Sequence, residues 1–243
     1  MFYADIHSHS LYGVDDGAKT QEDMQAMLDA AYADGVRYLC FTPHFHLGYF
    51  GNNIKEREKA FSNAEKYVNI KYPDMHLCLG NELRYSPECV SWLEDGLCLT
   101  LNGTEYVLVD FSEVERASAI VDGVSRLLNA GYRPVLAHAE RYDHIGYGLR
   151  EIQGLRHDGV LIQVDSQSLL GGFGLAVKQR AKAILRKGYA DMVSTDAHDI
   201  RRRPPGMSGA FQYIERKYGQ MYGERLCRDN ALELLWADTE GEK

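Results

Sequence analysis

Short runs rich in β-branched and aromatic residues alternate along the chain with longer stretches whose apolar positions recur every three or four residues. The runs Phe2–His7, Val36–Thr42, His76–Gly80, Tyr106–Phe111, Pro134–Ala137, Val160–Val164 and Asp191–Thr195 predict strands. The first helix is the clearest. Thr20 with Asp23 three residues later forms a capping-box pattern, although Glu or Gln is the usual partner. Met24, Met27, Leu28 and Ala31 then fall on one helical face, and Gly35 sits where a C-terminal cap belongs. The stripe Ile120, Val121, Val124, Leu127 and Leu128, ended by Gly131, predicts another helix. Further helices are expected over Lys55–Asn69, Leu149–His157, Leu175–Lys187, Gly209–Tyr218 and Asn230–Trp236. The strand Val160–Val164 is nearly all apolar, as expected of a strand covered on both faces. Strands alternating with helices predict an α/β fold of parallel β-α units. About seven units in sequence suggest a barrel related to the eight-unit type. An open doubly wound sheet is the competing architecture, because periodicity does not separate the two. No linker, repeat or low-complexity tract interrupts residues 1–243, which read as one domain. The glycine- and aromatic-rich loop His44–Lys55 is expected to be mobile over a site.

Composition narrows the functional classes. The chain has 243 residues, 45% hydrophobic and 26% charged, with a net charge of −8. That balance is globular, and the chain is long enough to bury a large core without disulfides. The negative charge works against binding nucleic acid or anionic membrane, since the protein's field repels polyanions. Five cysteines and no C-x-x-C pair exclude a disulfide framework and a zinc ribbon, and favour a cytoplasmic setting. The N-terminal MFYADIHSHS has no basic stretch followed by an apolar one, so no signal peptide is expected. No run approaches the ~20 apolar residues that a spanning helix requires.

The chemistry-bearing residues fall at strand ends. His7 and His9 follow the first strand, His44 the second and Glu82 the third. Asp110 ends the fourth, His138 ends the fifth, and Asp196 and His198 follow the seventh. In parallel β-α barrels the C-terminal strand ends converge on the face that carries the active site. An H-x-H at a strand end turns two imidazoles to one side, because side chains alternate with period two. D-x-H at Asp196 and His198 repeats that arrangement with mixed donors. Histidine nitrogen with carboxylate oxygen suits Mn, Fe, Zn or Co better than Ca or Mg. This many donors can serve two or three divalent ions, with Glu82 as a bridge.

The motifs DIHSHSLYGVDDG, TPHFH, GNELRY, YVLVDFS, VLAHAERY, QVDSQSLLG, STDAHD and RRRPP, in this order, resemble the PHP superfamily (polymerase and histidinol phosphatase). More narrowly, VDDG, HAERY and the DAH…RPP pair are similar to bacterial tyrosine-protein phosphatases encoded with capsule and exopolysaccharide genes. The resemblance runs from near the N-terminus to about Pro205, and DNALELL is similar as well. It implies a distorted (β/α)7 TIM-like barrel, the PHP fold, with a trinuclear centre that is usually manganese-dependent. It implies that His7, His9, Glu82 and Asp196 hold one ion, and Glu82, Asp110 and His138 a second. Asp16, His44 and His198 would serve a third. Arg141 of HAERY and Arg203 of RRRPP would grip the phosphate, and His44 is the candidate general acid if it is not a ligand. The implied partner is a phosphotyrosine protein, the tyrosine-rich tail of a bacterial kinase. Three departures stand out: Asp110 replaces the usual Glu, Ala139 stands where proline is common, and Asp165 replaces the usual Asn. Asp165 adds negative charge that is expected to disfavour a dianionic substrate.

Two other readings belong to different classes: a small-molecule phosphatase acting on a compound such as histidinol phosphate, and a non-catalytic metal-bound scaffold. A third is a cysteine mechanism, because Cys78 and Arg84 satisfy C-x5-R. It is disfavoured, since Cys78 falls inside a predicted strand and Glu82 would put a carboxylate in the phosphate cradle.

Overall fold

A computed structural model describes residues 1–50, 54–146 and 149–236. Its strands are β1 (Tyr3–Ser8), β2 (Val36–Phe41), β3 (His44–Phe45), β4 (His76–Leu79), β5 (Glu82–Arg84), β6 (Tyr106–Asp110), β7 (Arg133–Leu136), β8 (Leu161–Asp165) and β9 (Met192–Ser194). Each predicted strand is present within a residue or two. β3 and β5 are additional: they continue the lines of β2 and β4 after breaks at Thr42–Pro43 and Gly80–Asn81.

All pairings between these strands are parallel. One sheet has the order β1-β2-β4, the other β3-β5-β6-β7-β8-β9. Beyond the named strands, Ser8 and Ala197 form a parallel bridge, with the Asp196 N–H donating to the His7 carbonyl at 2.9 Å and the His9 N–H to the Ala197 carbonyl at 2.8 Å. The sequence therefore folds as an α/β protein with parallel sheets.

Helices form where the apolar stripes predict them: Gln21–Asp34, Ile54–Lys71, Ala117–Asn129, Arg150–His157, Gly174–Arg186, Ser208–Tyr218 and Asn230–Leu235. The Thr20–Asp23 capping box is complete, and Gly35 ends the first helix with a φ of 105°. Asp does the work of Glu there because its shorter arm still reaches the Thr20 N–H at 3.0 Å. The loop expected to be mobile lies partly outside the described residues. Its described part contains β3 and a bridge between His46 and Phe50.

Among the described residues, two apolar clusters hold the fold together. The larger packs helices against the outer strand faces. The smaller gathers Ala4, Ile6, Cys40, Cys78, Leu108, Val135, Ala137 and Met192 from both sheets, closed by Ala231, Leu235 and Trp236 near the C-terminus. Leu108 and Leu161 pack in this interior, so period two carries Asp110, Gln163 and Asp165 onto the same face further along. In β1 one extra residue opposes β2 between Asp5 and Ser8. Such a bulge shifts the alternation, and His7 follows Ile6 into the interior instead of turning outward.

Candidate metal centre and anion site

All nine residues singled out as ligands lie in one region. Their donor atoms form three groups, within 4.8 Å in each: His7, His9, Glu82 and Asp196; Glu82, Asp110 and His138; and His9, Asp16, His44 and His198. Glu82 belongs to the first two and His9 to the first and third. Most of these side chains are fully buried, whereas His44 is 15% and Asp16 51% exposed.

The backbone is bent to make this possible. His138 and Asp196 adopt positive φ values of 34° and 50°, a conformation uncommon for side-chain-bearing residues. Such strain persists only when surrounding structure enforces it, and it concentrates at functional sites.

Imidazole orientation identifies what the groups are built to hold. His9 Nδ1 lies 2.6 Å from Asp15 Oδ2, His7 Nδ1 3.2 Å from Gln163 Oε1, and His198 Nδ1 2.9 Å from the Asp196 carbonyl. Each of these nitrogens faces an acceptor and so keeps its proton, which leaves Nε2 as the position that a cation can take in place of a proton. This is the outer-shell pattern of metal-binding histidines. Glu82 Oε2 lies 2.8 Å from His44 Nδ1, 3.2 Å from His9 Nε2 and 3.4 Å from His7 Nε2, yet has no directed hydrogen bond. Asp110 Oδ1, Asp196 Oδ1 and His198 Nε2 are also buried without a hydrogen-bond partner. Buried, inward-aimed donors of this kind are costly unless a cation completes them. The mixed N and O set fits divalent Mn, Fe, Zn or Co. Divalent cations held by these residues would supply Lewis acidity and lower the pKa of a bound water.

The electrostatics agree. Burial alone would raise the Glu82 carboxyl, but the His7, His44 and His138 imidazoles hold it well below the usual range. Burial and the Glu82 charge push Asp110 well above it, with Arg84 opposing. Burial would lower His7, but Glu82 and Asp196 lift it to about 9. Protons therefore occupy the cluster wherever cations do not, and metal loading releases them.

Beside the carboxylates stand the two predicted arginines. Arg141 Nη2 pairs with Asp196 Oδ2 at 2.8 Å and with Asp165, while Arg203 pairs with Asp196. Both guanidiniums thus border the first group and present planar N–H edges suited to phosphate oxygens. Asp165 is fully buried, and Gln163 Nε2 donates to it at 2.8 Å. Its expected repulsion of a dianion is moderated, because its charge is spent on Arg141. A cleft of about 490 Å³, lined in part by Asp16, Lys19, Met27, His198, Ile200 and Arg202, opens beside the third group.

Sequence reasoning missed Asp15, Gln163 and Glu140, and named Arg84 only for its spacing from Cys78. Asp15 also accepts from the His44 N–H at 2.9 Å, so one carboxylate sets two ligands. Gln163 also accepts from the His138 N–H at 2.7 Å, tying β8 to the end of β7. Glu140 accepts from the Asp165 N–H at 3.1 Å. Arg84 Nη2 pairs with Asp110 Oδ2 at 3.0 Å. The available signals were the doubled acid in VDDG and the period-two placement of Gln163 between Leu161 and Asp165.

Cys78 lies in β4 and Arg84 in β5, so C-x5-R forms no phosphate loop. All five cysteines are free and buried.

Residues 3–236 match the family model for capsular polysaccharide synthesis, CpsB/CapC. The tyrosine-protein phosphatase CpsB of Streptococcus pneumoniae is 30% identical over 236 residues, covering 95% of this chain and 97% of that protein. Crystal structures of YwqE from Bacillus subtilis and CpsB from S. pneumoniae, described as unique metal-dependent tyrosine phosphatases, match with a TM-score of 0.85 at 29% identity, over 96% of this chain and 94% of the matched one. An organophosphorus hydrolase from Deinococcus radiodurans shares the fold alone, with a TM-score of 0.60 and 13% identity over 96% of this chain and 92% of that one. On its sequence and its structure, this chain belongs to the CpsB/CapC family.

Proposed function

We propose that this protein is a metal-dependent protein-tyrosine phosphatase that acts on a bacterial tyrosine kinase controlling capsule or exopolysaccharide synthesis. The observation that carries this reading is the contact between the two arginines and the cation groups: Asp196 pairs with Arg141 and Arg203 and also belongs to the first group. A phosphate gripped by the guanidiniums therefore lies beside the donors that hold divalent cations. Family membership and the metal-dependent relatives point the same way.

In this reading Arg141 and Arg203 bind and orient the phosphate oxygens and stabilise the charge they gain. Asp15, Gln163 and the Asp196 carbonyl keep the three Nε2 atoms turned inward. His44 serves the third group. A phenolic leaving group, with a pKa near ~10, needs little protonation help, so no strong acid is required. Two to three ions occupy the groups, with manganese the expected metal. The two sheets form a distorted (β/α)7 barrel within one domain. The Ser8–Ala197 bridge and the apolar cluster shared by both sheets support that architecture. The cytoplasm is the expected setting: the cysteines are free, and among the described residues no helix is long and apolar enough to cross a membrane.

The test is an assay after metal reconstitution. Wild type is expected to hydrolyse phosphotyrosine peptides in preference to histidinol phosphate. His138→Ala should lose bound metal and activity, whereas Arg141→Ala should keep metal and turn over poorly. Preference for histidinol phosphate would move the substrate class, and two variants behaving as wild type would refute the site.

A further inference from the structure

We propose that Phe173 is a specificity-determining residue, whose ring forms the wall against which the aryl group of a phosphate monoester packs. The inference deepens the phosphatase reading and takes the phosphate position at Arg141 and Arg203 from it.

The placement of the ring is the first argument. Its centroid lies 3.9 Å from the Arg141 guanidinium carbon and 5.8 Å from that of Arg203. A guanidinium binds phosphate through its N–H edge and an aromatic ring through its face, so the two contacts coexist. In an aryl phosphate a single oxygen separates phosphorus from the ring. The aryl group of a phosphate held by both arginines can therefore turn onto this ring, at the ~4.5–7 Å between centroids over which aromatic pairs attract. An alkyl ester has no ring to place there.

The second argument is local. Phe173 occupies the N-cap position of the helix Gly174–Arg186 and makes no side-chain cap bond. Ser, Thr, Asp or Asn is favoured there, because an oxygen would satisfy a free N–H. An apolar ring forgoes that bond. The ring sits in a turn between two glycines, Gly171 and Gly174, whose φ values of 103° and 88° side-chain-bearing residues rarely adopt. The ring is half-buried, and Leu170 and Leu175 beside it in sequence are 49% and 70% exposed.

The experiment compares aryl with alkyl recognition in the metal-loaded protein. Calorimetry measures binding of phenylphosphonate and methylphosphonate to wild type and to Phe173→Ala, Phe173→Leu and Phe173→Tyr. Turnover is measured with phosphotyrosine and phosphoserine versions of one peptide. Wild type is expected to prefer the aryl ligand. Phe173→Ala and Phe173→Leu should reduce that preference about tenfold, and Phe173→Tyr should retain it. Thermal melting verifies folding, and Phe173→Leu guards against collapse of the turn in the alanine variant. Equal weakening of both phosphonates would show that the ring only steadies the arginines and would overturn the proposal, as would no change in either. A wild type that prefers phenylphosphonate yet hydrolyses no phosphotyrosine would refute the phosphatase reading and leave the wall intact.

Discussion

The two ends of the shared interior are built from the same strands and serve opposite ends. At one end Ala4, Ile6, Cys40, Cys78, Leu108, Val135 and Met192 pack against Leu235 and Trp236. At the other, one to four residues further along the chain, stand His7, Asp110, Gln163 and Asp196, equally buried. Apolar burial stabilises by roughly 25 cal/mol per Å², so the first end contributes to folding at every site. The second end works against folding. Its carboxylates and imidazoles lose hydration, several lack hydrogen-bond partners, and two residues hold positive φ. Stability is concentrated where nothing reacts, and the rigid strands export it to a set of donors that would not assemble alone.

The sharpest break of this comparison lies within β6. Leu108→Ala removes a fully buried side chain from the apolar end and should cost about 2–5 kcal/mol of stability, with turnover per folded molecule nearly retained. Asp110→Asn, two residues later, should do the reverse. It removes a charge that burial and Glu82 already disfavour, so the metal-free protein should melt no lower than wild type, while metal-loaded activity falls by on the order of a hundredfold. Denaturant titration and steady-state kinetics read both. Loss of stability in the second variant equal to that in the first would dissolve the distinction.

Glu140 tests the cost of the polar end at a residue outside the cation groups. Burial, reinforced by the Asp165 charge, lifts its carboxyl to about 8 from an ordinary 4.5. The native state thus holds a proton that the unfolded chain releases. Stability linked to it is present below about pH 4.5 and is lost as pH rises toward 8. Glu140→Gln keeps an oxygen for the Asp165 N–H and cannot ionise. Metal-free wild type should weaken relative to this variant between about pH 5 and 8, by on the order of 3 kcal/mol, as measured by urea midpoints. Parallel pH profiles would show that Glu140 is not protonated in the folded state.

Asp165 offers a smaller change within the anion site. Its carboxylate shares Arg141 with Asp196. Asp165→Asn removes one competitor for the guanidinium while retaining a hydrogen-bonding side chain. Inorganic phosphate should then inhibit at about threefold to tenfold lower concentration, an ordinary value for one charge-assisted contact. Unchanged or weaker inhibition would mean that Asp165 holds Arg141 in place rather than competing for it.

Much of this architecture was legible because strands and helices carry different periods. The helices begin and end within a few residues of their predicted bounds, since Thr20, Gly35 and the apolar stripes act locally. β3 and β5 were not legible: segments of two and three residues carry no period, and Pro43 and Gly80 look like ends rather than interruptions. The ligands were legible because imidazoles and acids recur at predicted strand ends. Their supports were not. Asp15 and Gln163 bear on the cation groups through the histidines they orient, and in sequence each is one polar residue among many. The turn at Asp196 and the bulge in β1 depend on contacts between distant strands, which local sequence does not encode.

Cys78 marks the smallest expected effect and the boundary between the two ends. With Arg84 it mimics the spacing of a cysteine phosphatase, yet it packs in the apolar end beside Cys40. Burial and the neighbouring Cys40 push its thiol well above the ordinary value of 9.0. A thiol held protonated is a poor nucleophile, and its sulfur behaves as a small hydrophobe. Cys78→Ala should leave metal-loaded kcat/KM within about twofold of wild type while costing about 1 kcal/mol of stability, the usual scale for one lost heavy atom in a packed interior. Iodoacetamide at neutral pH should leave the native protein active, because the other four cysteines are buried too. Inactivation by either route, at full metal occupancy, would move the chemistry from the polar end of the interior to the apolar one and reverse the roles assigned to them.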